Sequence, residues 1–230
     1  MDSAFTRFWK TVAPPPSVPH GNVKLAAHKR RQRRLIGLGS VVVIAIAGGW
    51  ATYAYVSSAP ERAGQRFQLG MSLMKPGSYQ DAITLFDRAI SIWPQSAEYF
   101  LERGIAHQNL GQIEPALADF QSAVTLDPGL VAAYSARGAL YQERGDNQRA
   151  LQELTKSIQL APTVDGYFQR GQTYESLGQH QKAVEDYDNA IALERSWPYV
   201  YRARALAKAN LGDRDGAEGD RNIARQLERR

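Results

Sequence analysis

Four arginines each stand sixteen residues ahead of an acid: Arg103 and Asp119, Arg137 and Glu153, Arg170 and Asp186, Arg204 and Asp220. A guanidinium beside a carboxylate can orient an anionic substrate or tune a general acid. Catalysis would gather such groups into one convergent cluster. These instead recur at spacings of 34, 33 and 34 residues. One period before Arg103 and Asp119, Leu69 and Leu85 hold the two places, so both members change together. The pattern predicts a structural ion pair between two packed helices, repeated along the chain.

No other constellation points to chemistry. The four histidines, His20, His28, His107 and His180, are scattered, and the chain has no cysteine. That excludes thiolate catalysis, a disulfide framework and Cys-ligated zinc. Neither a phosphate-binding glycine loop nor a dinucleotide fingerprint is present, and no metal-ligand spacing occurs. The chain is expected to be no enzyme and to use no cofactor or metal.

The elements that carry the ion pairs are periodic. Glycines fall at Gly70, Gly104, Gly138 and Gly171, with Ala205 in the fifth place. Ala82, Ala116, Ala150, Ala183 and Ala217 keep step, as do Ala89, Ala123, Ser157, Ala190 and Ala224. Phe86, Phe120, Leu154 and Tyr187 form a bulky track, and Gly77, Gly111, Gly145, Gly178 and Gly212 divide each unit in two. Small residues permit close approach of two helices, and large ones fill the space between pairs. A unit of this size cannot bury its apolar face alone, so neighbours must stack. Pro94, Pro128 and Pro162 close the first three units; the fourth has Arg195 there. Pro198 is expected in the first turn of the next helix.

The pattern, shown best by "YFLERGIAHQNLGQIEPALADFQSAVTLDP" (Tyr99 to Pro128), resembles the tetratricopeptide repeat. The resemblance covers residues 63–230, with units near 63–96, 97–130, 131–163, 164–197 and 198–230. It implies an all-α fold, a right-handed superhelix (an α-solenoid) of helix–turn–helix pairs. It also implies a groove on the first helix of each pair that takes peptide or helix segments of other proteins. Carried onto this chain, the groove comprises Phe67, Met71, Met74, Leu101, Ile105, Gln108, Gln142, Phe168, Gln172, Glu175 and Arg202, apolar at the N-terminal end and polar beyond. The last unit is expected to act as a solubilising cap, with Lys208 and Arg221 in water.

Charge is distributed unevenly. Residues 1–34 hold eight cations and one acid, a balance of +7; the other 196 residues hold 20 cations and 22 acids, a balance of −2. The basicity is therefore local, and it abuts 22 residues without a charge, Leu35 to Val56. As a helix that stretch would extend about 33 Å, enough to cross a hydrocarbon core of roughly 30 Å. It is longer than a signal-peptide core. Pro60 follows the small residues where cleavage would occur. A single membrane span is expected, with Lys29, Arg30, Arg31, Arg33 and Arg34 keeping the N-terminus in the cytoplasm. Residues 57–62 would form a linker to a repeat domain on the trans side, periplasmic in a bacterium. Nucleic acid is not an expected partner.

The resulting expectation is a scaffold or adaptor, anchored in the inner membrane, for assembly or function of a membrane-associated complex. The alternatives are a permanent structural subunit of such a machine, for secretion, polysaccharide export, photosynthesis or respiration, and a processed soluble periplasmic protein.

Overall fold

The computed structural model describes residues 58–229; the basic segment and the expected span lie outside the described residues. Among the described residues there are ten helices in antiparallel pairs: α1 (Ala59–Ser72) with α2 (Tyr79–Ile92), α3 (Ala97–Asn109) with α4 (Ile113–Leu126), α5 (Val131–Glu143) with α6 (Asn147–Leu160), α7 (Val164–Ser176) with α8 (His180–Leu193), and α9 (Pro198–Asn210) with α10 (Arg214–Glu228). None of these is long and apolar enough to cross a membrane.

Helix formation follows from apolar spacing. In α4 the buried residues are Ala116, Asp119, Phe120, Ala123 and Val124. They fall mostly at steps of three or four, which gathers them into one stripe. Starts are set locally: Asp146, Thr163 and Asp213 accept hydrogen bonds from the backbone N–H of Arg149, Gly166 and Gly216. The turn between the helices of each pair needs a left-handed residue, and the turn glycine supplies it, Gly111 at φ +70° being typical.

Close packing within a pair depends on the other glycine series. A Cβ on Gly104 would lie 2.6 Å from the Phe120 ring, and one on Gly171 would lie 2.6 Å from the Tyr187 ring. The bulky track is therefore seated on bare backbone, and Phe86, Phe120, Leu154 and Tyr187 are at most 1% exposed. Each second helix also packs on the first helix of the following unit. First helices touch one another at α3–α5, α5–α7 and α7–α9, whereas the second helices make no comparable contact. The first helices therefore line the inside of the curve.

Proline marks two helix starts. Pro198 opens α9 as expected. By contrast, α1 begins at Ala59 with Pro60 in its first turn, so most of the expected linker 57–62 is helix. Proline has a preformed helical φ and needs no amide partner there, which makes it a start signal rather than a linker residue.

Candidate functional site

The four predicted ion pairs all form. Arg103 donates from Nε and a terminal nitrogen to Asp119 at 2.9 and 2.6 Å, and Arg170 does the same to Asp186 at 2.8 and 2.7 Å. Arg204 binds Asp220 at 2.8 and 2.5 Å. These are two-point guanidinium–carboxylate bonds, the geometry that suits arginine. Arg137 meets the longer Glu153 through one bond of 2.6 Å, and its Nε is buried with no hydrogen-bond partner among the described residues.

Each arginine also reaches back to the preceding unit. Arg103 binds Asp87 at 2.6 Å, Arg137 binds Gln121 at 2.5 Å, Arg170 binds Thr155 at 3.3 Å and Arg204 binds Asp188 at 2.6 Å. An aromatic ring three residues earlier, Phe100, Tyr134, Tyr167 or Tyr201, lies 5.5–5.8 Å from each guanidinium carbon. Every clamp thus ties three helices from two units. The hydrogen bonds of Asp119 and Asp186 raise Arg103 and Arg170 above the ordinary arginine pKa. These groups are held charged and engaged between helices.

The expected groove residues divide by burial. Phe67 is only 4% exposed, stacked on Tyr99 with ring centres 4.7 Å apart, and Leu101 is only 6% exposed. Both belong to the core, which corrects the expectation that they line an open groove. Met71, Met74, Ile105, Gln108, Gln142, Phe168 and Glu175 are half-buried, and Gln172 and Arg202 are exposed. By helical phase the inner face also includes Glu98 and Glu102, which the expected groove omits, and Asp165.

Tetratricopeptide-repeat family models match residues 67–131 and 164–196. These two stretches carry tetratricopeptide repeats. Solved structures with this fold include MamA, 26% identical over 70% of this chain and 94% of that one, with a TM-score of 0.65. Residues 41 to the end of MamA from Desulfovibrio magneticus RS-1 are 21% identical over 74% and 96%, with a TM-score of 0.67. TTC0263, a thermophilic tetratricopeptide-repeat protein of Thermus thermophilus, is 28% identical over 72% and 91%, with a TM-score of 0.57. No curated protein matches this chain. The tetratricopeptide-repeat fold is that of a protein–protein interaction scaffold.

Several side chains of the inner face engage one another. At its distal end Phe168 meets Tyr199 edge-on with centres 4.7 Å apart, and the Tyr199 hydroxyl donates to Asp165 at 3.2 Å. Asn210 donates to Glu175 at 3.2 Å, Glu175 also bonds His180 at 2.9 Å, and Arg202 is tied to Glu228 at 2.5 Å. Leu206 is 58% exposed there, so the distal end is not purely polar. Burial, aided by the Glu98 charge, raises the carboxyl pKa of Glu102. Burial and the Asp165 charge likewise raise Tyr199.

The last repeat meets one of its two cap expectations. Arg221 is exposed where the other repeats bury Phe86, Phe120, Leu154 and Tyr187. Lys208 is not in open water: its ammonium binds Asp220 at 2.9 Å, because the doubly bonded carboxylate of the clamp draws in a second cation. Elsewhere, an open hollow lined by Pro94, Phe100, Gln121, Ser122, Thr125 and Leu126 includes none of the inner-face residues. Among the described residues no group of three histidines or acids is placed to hold a metal.

Proposed function

We propose that this chain is a non-enzymatic scaffold, anchored by one membrane span at Leu35–Val56, that holds segments of partner proteins on the inner face of its tetratricopeptide repeats. The observation that carries this reading is the inner face itself, a run of half-buried and exposed side chains from Met71 to Leu206 that no other part of the described chain covers. The clamps fix neighbouring units in register, so the face presents fixed spacing to a partner. Cation asymmetry around the apolar stretch supports a cytoplasmic N-terminus and repeats on the trans side, in the inner membrane of a bacterial source. On this reading the partners belong to a membrane-associated complex whose assembly or operation needs proteins held together.

Affinity purification in mild detergent tests the proposal. The full chain should recover partners substoichiometrically, and the Met71→Asp, Ile105→Asp variant should lose them while its helical circular dichroism is unchanged. Unchanged recovery by that variant would refute the inner face as the binding surface. Stoichiometric, salt-resistant recovery with one complex would instead identify a fixed subunit. Reporter fusions should show a periplasmic enzyme active after Arg230 and a cytoplasmic one active before Lys24; the reverse orientation would refute the topology.

A further inference from the structure

The inner face is charged in one sense, and its acids have no lysine or arginine partner of the kind the clamp acids possess; Glu175 is bonded only to His180 and Asn210, and Asp165 only to Tyr199, among the described residues. By helical phase Glu98, Glu102, Glu143, Asp165 and Glu175 fall on the inner side of the first helices, against the single cation Arg202 among the described helical residues. Arg202 is already engaged by Glu228. Among the described residues no lysine or arginine pairs with any of those five acids, whereas Asp87, Asp119, Glu153, Asp186, Asp188 and Asp220 are all bound by clamp arginines. Glu98 and Glu102 sit four residues apart on α3, a spacing at which like charges face each other and oppose the helix. The raised carboxyl pKa of Glu102 reflects burial first and that repulsion second.

Apolar surface runs beside these acids. Met71 and Ile105 are half-buried on the first helices of the first two repeats, and Phe168, Tyr199 and Leu206 supply apolar surface on those of the last two. Resting on the reading of this face as a partner-binding groove, we infer that its occupant is a cationic amphipathic helical segment of another protein. Its apolar side lies on the methionine–isoleucine strip and its lysines or arginines meet the acids. Such a segment supplies the charges the face lacks, and helix-in-groove docking is an established mode of recognition. The acids of α3 and α7 are two units apart, roughly 20 Å at about 10 Å per neighbouring helix. A helix of about 14 residues spans that distance. Nucleic acid and anionic lipid are repelled by the same charges.

The test uses the full chain in non-ionic detergent and a fluorescent 18-residue amphipathic peptide of lysine, alanine and isoleucine. A glutamate-for-lysine peptide serves as the control. Anisotropy should show the lysine peptide binding, weakening as salt is raised, and the glutamate peptide not binding. The Glu98→Gln, Glu102→Gln variant should weaken binding by roughly fivefold, from two partly exposed ion pairs. Adding Asp165→Asn and Glu175→Gln should weaken it further. Circular dichroism should be unchanged, since the changes remove repulsion, and comparison among variants cancels peptide taken up by detergent. Equal binding by the wild type and the four-fold variant would overturn the inference. Preferential binding of the glutamate peptide would overturn the charge assignment while leaving the groove as a binding surface. Loss of binding only in the Met71→Asp, Ile105→Asp variant, with the acids without effect, would likewise overturn the charge assignment alone.

Discussion

Replacing Arg137 by leucine should test what the repeated clamp contributes. Arg137 is 8% exposed, bonded to Glu153 at 2.6 Å and Gln121 at 2.5 Å, and lies 5.6 Å from the Tyr134 ring centre. Its loss leaves a carboxylate whose side chain is only 17% exposed with no cation, and leaves Gln121 without its donor. Removing one member of a fully buried pair costs about 3–5 kcal/mol. Glu153 keeps some access to water, so a cost of about 2–3 kcal/mol is expected. For a domain of this size that corresponds to a fall in Tm of roughly 4–12 °C. Changing Glu153 to leucine as well copies the natural Leu69–Leu85 pair of the first repeat. Leu85 is 9% exposed and Leu69 49%, so the repeat tolerates an apolar pair at these two places. The double variant should recover more than half of the loss. The assay is thermal unfolding of the full chain followed by far-ultraviolet circular dichroism, for the two singles and the double. A double variant as unstable as the sum of the singles would mean that the two residues are not coupled, and would refute the clamp.

Other expectations follow from the same packing. In Gly104→Ala the new Cβ would lie 2.6 Å from the Phe120 ring, whereas in Gly219→Ala, on α10, it would meet nothing within 4 Å. The first should destabilise by about 1–3 kcal/mol and the second should stabilise by about 0.5–1 kcal/mol. Urea titrations of the two variants check both signs. Arg221→Phe should make the full chain self-associate in light scattering while it keeps its partners, since it places an exposed aromatic on the outer face of the terminal helix; a monomeric variant that loses a partner would make this end a binding site instead. Burial would raise the pKa of Asp220, but hydrogen bonds from Arg204 and Lys208 outweigh it and hold the carboxyl below its ordinary 3.8. Its contribution to stability is therefore present above that value and is lost as the pH falls through the lower folded-state value. Thermal unfolding at two pH values, one near neutral and one below the folded-state pKa, should show Asp220→Asn destabilising at the first and nearly without effect at the second.

Much of this architecture is legible in the sequence because the repeats impose their period on residue type as well as position. The Gly104–Phe120 contact and the Arg103–Asp119 bond recur with the same chemistry, so spacing alone reveals them. The second bond of each arginine was hidden because its partners are Asp87, Gln121, Thr155 and Asp188, nearly constant in position but not in type. Phe67 and Leu101 occupy groove positions by count. Their side chains are buried instead, with Tyr99 stacked over Phe67, and a count of positions does not contain that direction. Glu102 is the converse case: helical phase puts it on the inner face, but the groove pattern carried from similar proteins omits its position. Lys208 was drawn inward by Asp220, a contact between neighbours on different helices that no local pattern encodes.

That partners lie on the inner face of the repeats is tested most directly by photo-crosslinking in the full chain in its native membrane. A crosslinking residue is placed, one at a time, at Met71, Ile105 and Gln172 on the inner face, and at Gln152 and Lys156 on α6. Discrete protein adducts are predicted from the three inner positions and none from the two on α6. Adducts confined to Gln152 and Lys156 would contradict the inner face as the binding surface.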